Sequence, residues 1–297
     1  MTALARPLAL CRSWLFLPGA ERETLMAAPE CGADVLIQEL EDFTPRDRRS
    51  EAGGMAPDIY KAWRGAGAVV AVRVNPLDDG GIADLEAVMR GAPDVVMLPK
   101  VRGAADIEAL AEAIGAFEAR YGISGGSTLL VPNIESAAAL MQVQAIAQAS
   151  PRVAGCLLAS EDLAADLGAE RTPDSDALDH ARQRFLLECR AAGKLAIDCP
   201  FTWADADYAR ADAQKSRRWG FGAKSAVAAT HAAIINEVMT PSQGAVAEAQ
   251  RIVDAFEAAR SQGLPGVPVD GNLVEMPTYL AARRLLERHA ALSKAAR

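Results

Sequence analysis

Acidic and basic side chains stand directly after short apolar runs in this sequence. Glu135 and Asp162 each follow such a run, Arg73 closes another, and Lys100 follows a fourth. Carboxylate oxygens suit hard cations such as Mg²⁺ or Mn²⁺, with water or substrate in the remaining positions. A cation held by Glu135 and Asp162 would chelate a 2-oxo acid and act as a Lewis acid while a neighbouring carbon–carbon bond forms or breaks. Arg73 would add a fixed positive charge at the developing enolate or carboxylate.

These residues also have structural interpretations. Glu135 and Asp162 stand where helices are predicted to begin, so they would cap a helix or complement its dipole. Arg73 would form a structural salt bridge with Glu39, Glu41 or Asp42, at the end of the second apolar run. Two other function classes stay open. One is a Schiff-base aldolase using Lys100, which needs a lysine of depressed pKa in a dry pocket. The other is a non-catalytic barrel that serves as a subunit or scaffold.

The composition narrows the function classes. The chain has 297 residues and a net charge of −8, which argues against a general nucleic-acid binder. Its three histidines, His180, His231 and His289, are far apart, so a His-Glu-x-x-His zinc helix is excluded. The five cysteines form no Cys-x-x-Cys pair, and there is no signal-peptide layout and no apolar span of the ~18 residues that a membrane helix needs. We therefore expect a cytoplasmic protein that does not bind membranes.

Apolar runs alternate with helical patterns along almost the whole chain. The runs are continuously apolar, as buried parallel strands are, and helical spacing marks Asp106–Tyr121, Asp174–Ala192 and Ala245–Ser261. This alternation predicts an α/β fold, a (β/α)8 TIM barrel, with a doubly wound sheet as the second choice. The predicted strands are Trp14–Leu17, Asp34–Glu39, Val69–Val74, Asp94–Leu98, Thr128–Ile134, Val153–Ala159, Lys194–Asp198 and Arg218–Gly222.

The end of the chain differs from the rest. Residues 261–271 are rich in Gly and Pro, which predicts a loop or hinge, and a last helix is expected from about Pro277 to Leu292. We therefore predict a TIM-barrel catalytic domain over residues 1–263 and a helical C-terminal extension over residues 264–297. The extension would act as a lid or an oligomerisation arm, or its helix would close the bottom of the barrel. TIM-barrel enzymes place their chemistry at the C-terminal strand ends, where the acids and Arg73 stand.

An ordered series of segments runs from Arg12 to about Leu286. This series resembles the citrate lyase β-subunit-like family of the HpcH/HpaI aldolase superfamily, with this chain as a divergent member. The resemblance implies a TIM barrel that cleaves or forms carbon–carbon bonds using Mg²⁺. The matching segments are residues 12–19 (RSWLFLPG), Leu40-Glu-Asp42, Val72-Arg-Val-Asn75, Leu98-Pro-Lys-Val101, Pro132-Asn-Ile-Glu135, Ser160-Glu-Asp162 with 164–168 (AADLG), Gly220-Phe221, Asn236, Thr240-Pro-Ser242, Asp270-Gly271 and Pro277.

The resemblance also implies residue roles. Glu135 and Asp162 match the metal ligands, and Arg73 matches the residue that stabilises the substrate carboxylate or enolate. Glu41 and Asp42 match an acidic pair that orders water and Arg73.

A C-terminal carboxylate of this family can reach the active site of a neighbouring subunit as acid or base. Glu275 stands at this position, where Asp is usual, and its alternative role is that of a first-turn helix acid. A homo-oligomer, either a trimer or a hexamer built from two trimers, is implied in the same way.

Coenzyme recognition is where the sequence departs from the family. Arg12 and Lys224 stand at the positions we assign to coenzyme binding. The family's Gly-Lys-x-x-Ile-His-Pro is here Ala223-Lys-Ser-Ala-Val-Ala-Ala229, so only the lysine remains. Phe43-Thr44 replaces the usual Ala-Val, which predicts a bulky ring at the pocket.

The expected substrate is a malyl-, citramalyl- or citryl-type thioester that yields glyoxylate, pyruvate or oxaloacetate. A free hydroxy-2-oxo acid, cleaved without coenzyme A, is the alternative. The HpaI-type branch is disfavoured, because it uses an early histidine and none precedes His180.

Overall fold

A computed structural model describes residues 4–174 and 176–295. Eight parallel strands close a barrel in sequence order, and β1 pairs with both β2 and β8. The predicted TIM barrel is therefore confirmed. The strands are β1 (Ser13–Pro18), β2 (Val35–Glu39), β3 (Val69–Arg73), β4 (Val95–Leu98), β5 (Leu129–Ile134), β6 (Gly155–Leu158), β7 (Leu195–Asp198) and β8 (Ala223–Ala226).

Helices follow the strands and cover the outside of the barrel. The helix predicted over Asp106–Tyr121 is confirmed, and its apolar residues Ile107, Leu110, Ile114 and Phe117 all lie in the layer between strands and helices. The helices are α1 (Arg22–Ala27), α2 (Arg49–Gly65), α3 (Gly81–Val88), α4 (Ala104–Tyr121), α5 (Ala137–Leu140), α6 (Val143–Gln148), α7 (Ser160–Leu167), α8 (Asp179–Ala191), α9 (Ala206–Trp219), α10 (Ala229–Met239), α11 (Gln243–Ser261) and α12 (Met276–Ala295).

Side chains alternate along each strand between the barrel interior and the helix layer. Val35 and Ile37 of β2, and Val69 and Ala71 of β3, belong to the interior cluster. Continuing the same alternation, the last residues of β2 and β3, Glu39 and Arg73, also face inward at the C-terminal mouth. The barrel interior is thus packed with Val, Ile, Ala and a few aromatic side chains. A layer of polar side chains lies above them at the C-terminal mouth.

The prediction for the eighth strand was wrong. Residues 218–222 are not a strand: α9 continues to Trp219, and Gly220 ends it with a left-handed φ of 109°. The strand is Ala223–Ala226 instead. Its central residues, Lys224 and Ser225, are polar yet fully buried, because both have partners in the protein. An apolar-run criterion misses a strand of this kind.

The chain divides into two compact units, with the boundary after Met239, whereas the sequence predicted one after residue 263. In the second unit α11 packs against α12 through Val253 and Ala282, so α11 belongs with the C-terminal helix. Two short strands, β9 (Val267–Val269) and β10 (Asn272–Val274), form an antiparallel hairpin where a loop was predicted. None of the helices in the described residues combines the length and apolar character that crossing a bilayer requires.

Candidate active site

Arg73 and Glu39 form the centre of the polar layer at the mouth of the barrel. They are paired neighbours on β3 and β2, and both face inward. Arg73 Nε lies 2.9 Å from Glu39 Oε1, and the guanidinium stacks 5.1 Å from the centre of the Phe16 ring. Both side chains are almost fully buried. The guanidinium is therefore fixed in orientation before any ligand arrives.

Glu39 is a buried residue of the candidate site to which the sequence analysis gave no role beyond a salt bridge. Its carboxylate also accepts hydrogen bonds from the backbone N–H of Glu41, at 2.6 Å, and of Phe43, at 2.5 Å. One buried carboxylate thus holds both Arg73 and the loop after β2. The sequence did contain a signal for this role. Glu39 ends an apolar strand at a position that follows the alternation of the inward-facing residues.

The loop after β2 is also held from the side of β1. Thr44 Oγ1 donates to the Glu39 carbonyl at 2.5 Å and accepts the Gly19 N–H at 3.0 Å. A Cβ at Gly19 would lie 2.3 Å from the Glu39 carbonyl oxygen, so this approach requires glycine. The predicted ring, Phe43, lines the pocket described below.

Glu41 and Asp42 also contact Arg73. Arg73 Nη2 lies 3.4 Å from Glu41 Oε2 and 3.3 Å from Asp42 Oδ2. Glu41 is buried and also forms an ion pair with the Lys100 ammonium group. Burial raises the pKa of Glu41. The structure therefore brings both predicted acids into contact with Arg73.

Glu135 follows β5 and faces the same mouth. Its Oε1 lies 3.9 Å from Arg73 Nη1, and its Oε2 accepts the Lys100 N–H at 2.9 Å. Lys100 has a left-handed φ of 52°, which is costly for a residue other than glycine. Helix α5 is capped by Ser136, whose hydroxyl accepts from the Ala139 N–H at 3.2 Å. Glu135 is therefore not the helix cap that its structural interpretation required.

The pKa of Glu135 is raised to about 7. Burial is the main cause, the negative charges of Asp162 and Glu41 act in the same direction, and Arg73 and the Lys100 N–H oppose them. Glu135 Oε1 is buried and has no hydrogen-bond partner among the described residues. A carboxylate oxygen in this state favours a cation as its missing partner.

Asp162 lies in the first turn of α7, immediately after β6. It lines a cavity of about 370 Å³ together with Arg73, a size typical of small-molecule sites. The cavity is lined by both apolar and charged side chains. Its lining residues are Phe16, Asp42, Phe43, Arg73, Leu157, Ala159, Ser160, Glu161, Asp162, Arg171, Pro200, Thr202 and Val227.

The donor set fits a hard divalent cation that is only partly enclosed by protein. Within the described residues no three His, Cys, Asp or Glu side chains converge to hold a metal. Glu135 and Asp162 would supply two oxygen ligands, and the cavity leaves room for water and substrate oxygens. The side-chain cations Arg73, Lys100 and Arg171 are outnumbered, so the site favours a positive ion; the six carboxylates around the mouth are those of Glu39, Glu41, Asp42, Glu135, Glu161 and Asp162.

Lys100 does not have the properties of a Schiff-base lysine. Its hydrogen bond to Glu41 raises the pKa of Lys100 above its usual value. The ammonium is therefore protonated at neutral pH, whereas a Schiff-base nucleophile must be a neutral amine.

The two predicted coenzyme-binding residues lie elsewhere. Arg12 precedes β1, at the opposite end of the barrel from Glu135, and its Nε lies 2.8 Å from Asp34 Oδ2. Lys224 points into the helix layer, where its Nζ lies 3.0 Å from Asp198 and 2.6 Å from Asp212. Lys224 is fully buried. Neither residue lines the cavity that holds Arg73 and Asp162.

Glu275 belongs to the second compact unit, between β10 and α12. Its side chain is exposed, and its carbonyl accepts the Tyr279 N–H at 3.0 Å. It directly precedes α12 and is not one of the first-turn residues, so it is not the first-turn acid of its alternative interpretation.

Comparison with known proteins identifies relatives over almost the whole chain. The family model for HpcH/HpaI aldolase/citrate lyase matches residues 12–229. The citrate lyase subunit beta of Escherichia coli K12 is 34% identical over 280 residues, which cover 93% of this chain and 92% of that protein. A (3S)-malyl-CoA thioesterase of Cereibacter sphaeroides is 31% identical over 290 residues, with 95% of each chain covered.

Solved structures also include proteins that superpose on this chain. CitE from Mycobacterium tuberculosis, in complex with magnesium, acetoacetate and coenzyme A, superposes with a TM-score of 0.76 at 26% identity, covering 94% of this chain and 98% of that one. A citrate lyase from Burkholderia xenovorans LB400 shares the fold with a TM-score of 0.82 at 18% identity, covering 95% and 92%. The ordered strand-end motifs, the barrel that carries them and these matches lead to one conclusion: the chain belongs to the HpcH/HpaI aldolase/citrate lyase family.

Proposed function

We propose that this protein is a Mg²⁺-dependent carbon–carbon lyase. It would cleave or form a malyl-, citramalyl- or citryl-type thioester and yield a 2-oxo acid. The observation that carries this proposal is Glu135 Oε1, buried without a hydrogen-bond partner among the described residues and close enough to Asp162 for that charge to raise its pKa. The citrate lyase and malyl-CoA thioesterase relatives support the substrate class.

Glu135 and Asp162 would hold the ion, which is Mg²⁺ or, with the same ligand preference, Mn²⁺. When bound, the ion supplies Lewis-acid stabilisation of negative charge on the carbonyl and carboxylate oxygens of the 2-oxo acid. Arg73, fixed by Glu39 and stacked on Phe16, binds the substrate carboxylate or the developing enolate. This arrangement needs no reorientation of Arg73 during the reaction.

In the cleavage direction a base takes the hydroxyl proton of the substrate, and the adjacent carbon–carbon bond breaks. The hydroxyl-bearing carbon becomes the carbonyl of the 2-oxo acid. The bonding electrons move to the thioester fragment as an enolate, which is then protonated at carbon. Glu41 and Asp42 keep Arg73 in place and order water beside it.

Glu275 would provide the acid or base from a neighbouring subunit. Its exposed position between β10 and α12 leaves the carboxylate free to enter another subunit's cavity. This assignment requires a homo-oligomer, for which we propose a trimer or a hexamer, with the segment after residue 263 acting as lid or oligomerisation arm.

The thioester carrier would be coenzyme A, which is present in the related CitE structure. The ion pairs of Arg12 and Lys224 favour other residues for coenzyme recognition. The burial of Lys224 and the Phe43 ring at the cavity favour a second candidate, a metal-dependent aldolase that acts on a free hydroxy-2-oxo acid.

We place the protein in the cytoplasm. Cys11, Cys31, Cys156, Cys189 and Cys199 are all unpaired thiols, as expected in a reducing compartment.

The test is a screen with Mg²⁺ present throughout. Malyl, citramalyl and citryl thioesters of coenzyme A are compared with free 4-hydroxy-2-oxo acids, and release of glyoxylate, pyruvate or oxaloacetate is measured. We expect release from at least one thioester and its loss with a chelator. Release from the free acids alone would favour the second candidate, and release from neither class would overturn both.

A further inference from the structure

A second arginine, Arg171, lines the same cavity as Arg73 and is not used by the proposed reaction. It lies in the segment between α7 and α8. Its Nε lies 2.6 Å from Glu161 Oε2, and its Nη2 donates to Glu161 Oε1 at 2.8 Å and to Thr202 Oγ1 at 2.7 Å. The guanidinium also stacks 4.9 Å from the centre of the Trp203 ring. These contacts fix a planar cation at the wall of the cavity.

The contacts leave part of this guanidinium available. They use Nε and Nη2, and Nη1 makes no hydrogen bond or ion pair with any residue in the ranges 4–174 and 176–295. The side chain is 46% exposed, so Nη1 is accessible to a small anion. Glu161 partly neutralises the charge and, through its two-point contact, orients the free N–H groups.

The chemistry of the lining indicates what this donor would bind. Among the described residues that line the cavity, Arg73 and Arg171 carry the positive charges. Other parts of the wall are apolar, including Leu157, Pro200 and Val227. A ligand with one anionic group would engage Arg73 and the ion that Glu135 and Asp162 would hold, whereas one with two anionic groups would also engage Arg171.

We propose that Arg171 binds the second carboxylate of a 2-oxo diacid, so that the cavity selects an oxaloacetate fragment over pyruvate or glyoxylate. This inference rests on the proposed function and narrows it to citryl-type substrates. Pyruvate has a methyl group, and glyoxylate a hydrogen, where oxaloacetate has its CH₂-carboxylate arm. A phosphate of the coenzyme would present the same chemistry to Arg171, but the free 2-oxo acids lack it, so they separate the two sources.

The experiment is calorimetric titration of oxaloacetate and pyruvate into the full-length protein in Mg²⁺ buffer. A charge-assisted hydrogen bond predicts that the unaltered protein binds oxaloacetate about 10–100-fold more tightly than pyruvate. Arg171→Gln should abolish this preference while leaving pyruvate affinity within about twofold. Arg184→Gln, which removes a half-exposed arginine paired with Glu188, is the matched control and should leave the preference intact.

Other outcomes overturn the inference. Equal binding of the two acids by the unaltered protein would do so. The inference also fails if Arg171→Gln still binds oxaloacetate more tightly than pyruvate, or if its affinity falls by the same factor for both acids. Weakened coenzyme A binding with an unchanged preference would assign Arg171 to the carrier.

If Arg171→Gln fails to fold, the 4-methyl ester of oxaloacetate tests the unaltered protein and should bind about 10-fold more weakly than oxaloacetate. If neither free acid binds, the proposed function itself fails, whereas equal binding rejects only the role of Arg171.

Discussion

The Arg73 guanidinium and the Glu39 carboxylate are paired across neighbouring strands at 2.9 Å, and both are buried at the mouth of the barrel. Glu39 is therefore a positioning residue: it fixes Arg73 and the loop that carries Glu41 and Asp42, and it does not line the cavity.

Glu39→Gln should lower kcat about 10–100-fold, because an Arg73 displaced by even 1 Å no longer meets the developing charge. Mg²⁺ affinity should change little, since Glu39 is not a proposed ligand. Steady-state kinetics and a Mg²⁺ titration check the two expectations. Glu118→Gln is the control: Glu118 is also buried and paired with an arginine, Arg152, outside the site, so its loss should lower stability while kcat is unchanged. A normal kcat in Glu39→Gln contradicts the positioning role.

Mg²⁺ affinity should depend on pH through Glu135. Its pKa of about 7 in the metal-free protein means that a proton competes with the ion below neutrality. One competing proton predicts affinity about tenfold weaker at pH 6 than at pH 8, measured by calorimetry. In the metal-free protein the folded state takes up this proton between about pH 4.5 and 7, so its stability should fall as pH rises through that window. Constant Mg²⁺ affinity across this range would show that Glu135 is not a ligand.

Lys224 should matter for stability rather than for coenzyme binding. Burial alone would raise the pKa of Asp198, but Arg182 and Lys224 hold it well below its usual range. Lys224→Met removes one cation of this buried network and should destabilise the fold by about 3–5 kcal/mol in urea unfolding. The exposed Lys61→Met should change stability by less than about 0.5 kcal/mol. A stable Lys224→Met protein with weakened coenzyme A binding would restore the coenzyme role.

Glu275 can be tested by mixing two inactive variants. If Glu275 acts in a neighbouring subunit, Glu275→Gln and Glu135→Gln proteins should each be inactive. Unfolding and refolding them together should restore a fraction of the activity, because some cavities then combine both unaltered residues. Refolding each variant alone is the control. No recovery in mixed oligomers, confirmed by mass spectrometry, would place Glu275 outside the neighbouring site.

Much of the fold was predictable because apolar runs mark buried parallel strands. Along β2, β3 and β5 every second side chain faces the barrel interior. This alternation places Glu39, Arg73 and Glu135 at the same mouth. Strand prediction from apolar runs failed where a charged side chain is buried beside partners of opposite charge from other parts of the fold. In β8, Lys224 is buried only because Asp198 and Asp212 form ion pairs with it.

The hairpin in the second unit was missed for a different reason. Residues 261–271 are rich in Gly and Pro and were assigned to a loop. Asp270-Gly271, with φ of 49° and 82°, in fact forms the turn that joins β9 to β10. Asp-Gly is a strong hairpin signal, but the flanking strands are only three residues long.

The ionic roles within the site were only partly predictable. Residue types indicated that Glu135 and Asp162 were candidate ligands, but not that Ser136, rather than Glu135, caps α5. The role of Glu39 depends on its backbone partners, Glu41 and Phe43, which only the folded loop brings to it.

The central claim is that Glu135 holds the ion on which carbon–carbon cleavage depends. The most direct measurement compares Glu135→Gln with the exposed Glu108→Gln, recording Mg²⁺ affinity by calorimetry and 2-oxo acid release from the thioester found active. We predict that Glu135→Gln loses at least about 100-fold in both quantities, while Glu108→Gln matches the unaltered protein. Unchanged Mg²⁺ binding and turnover in Glu135→Gln would contradict the account.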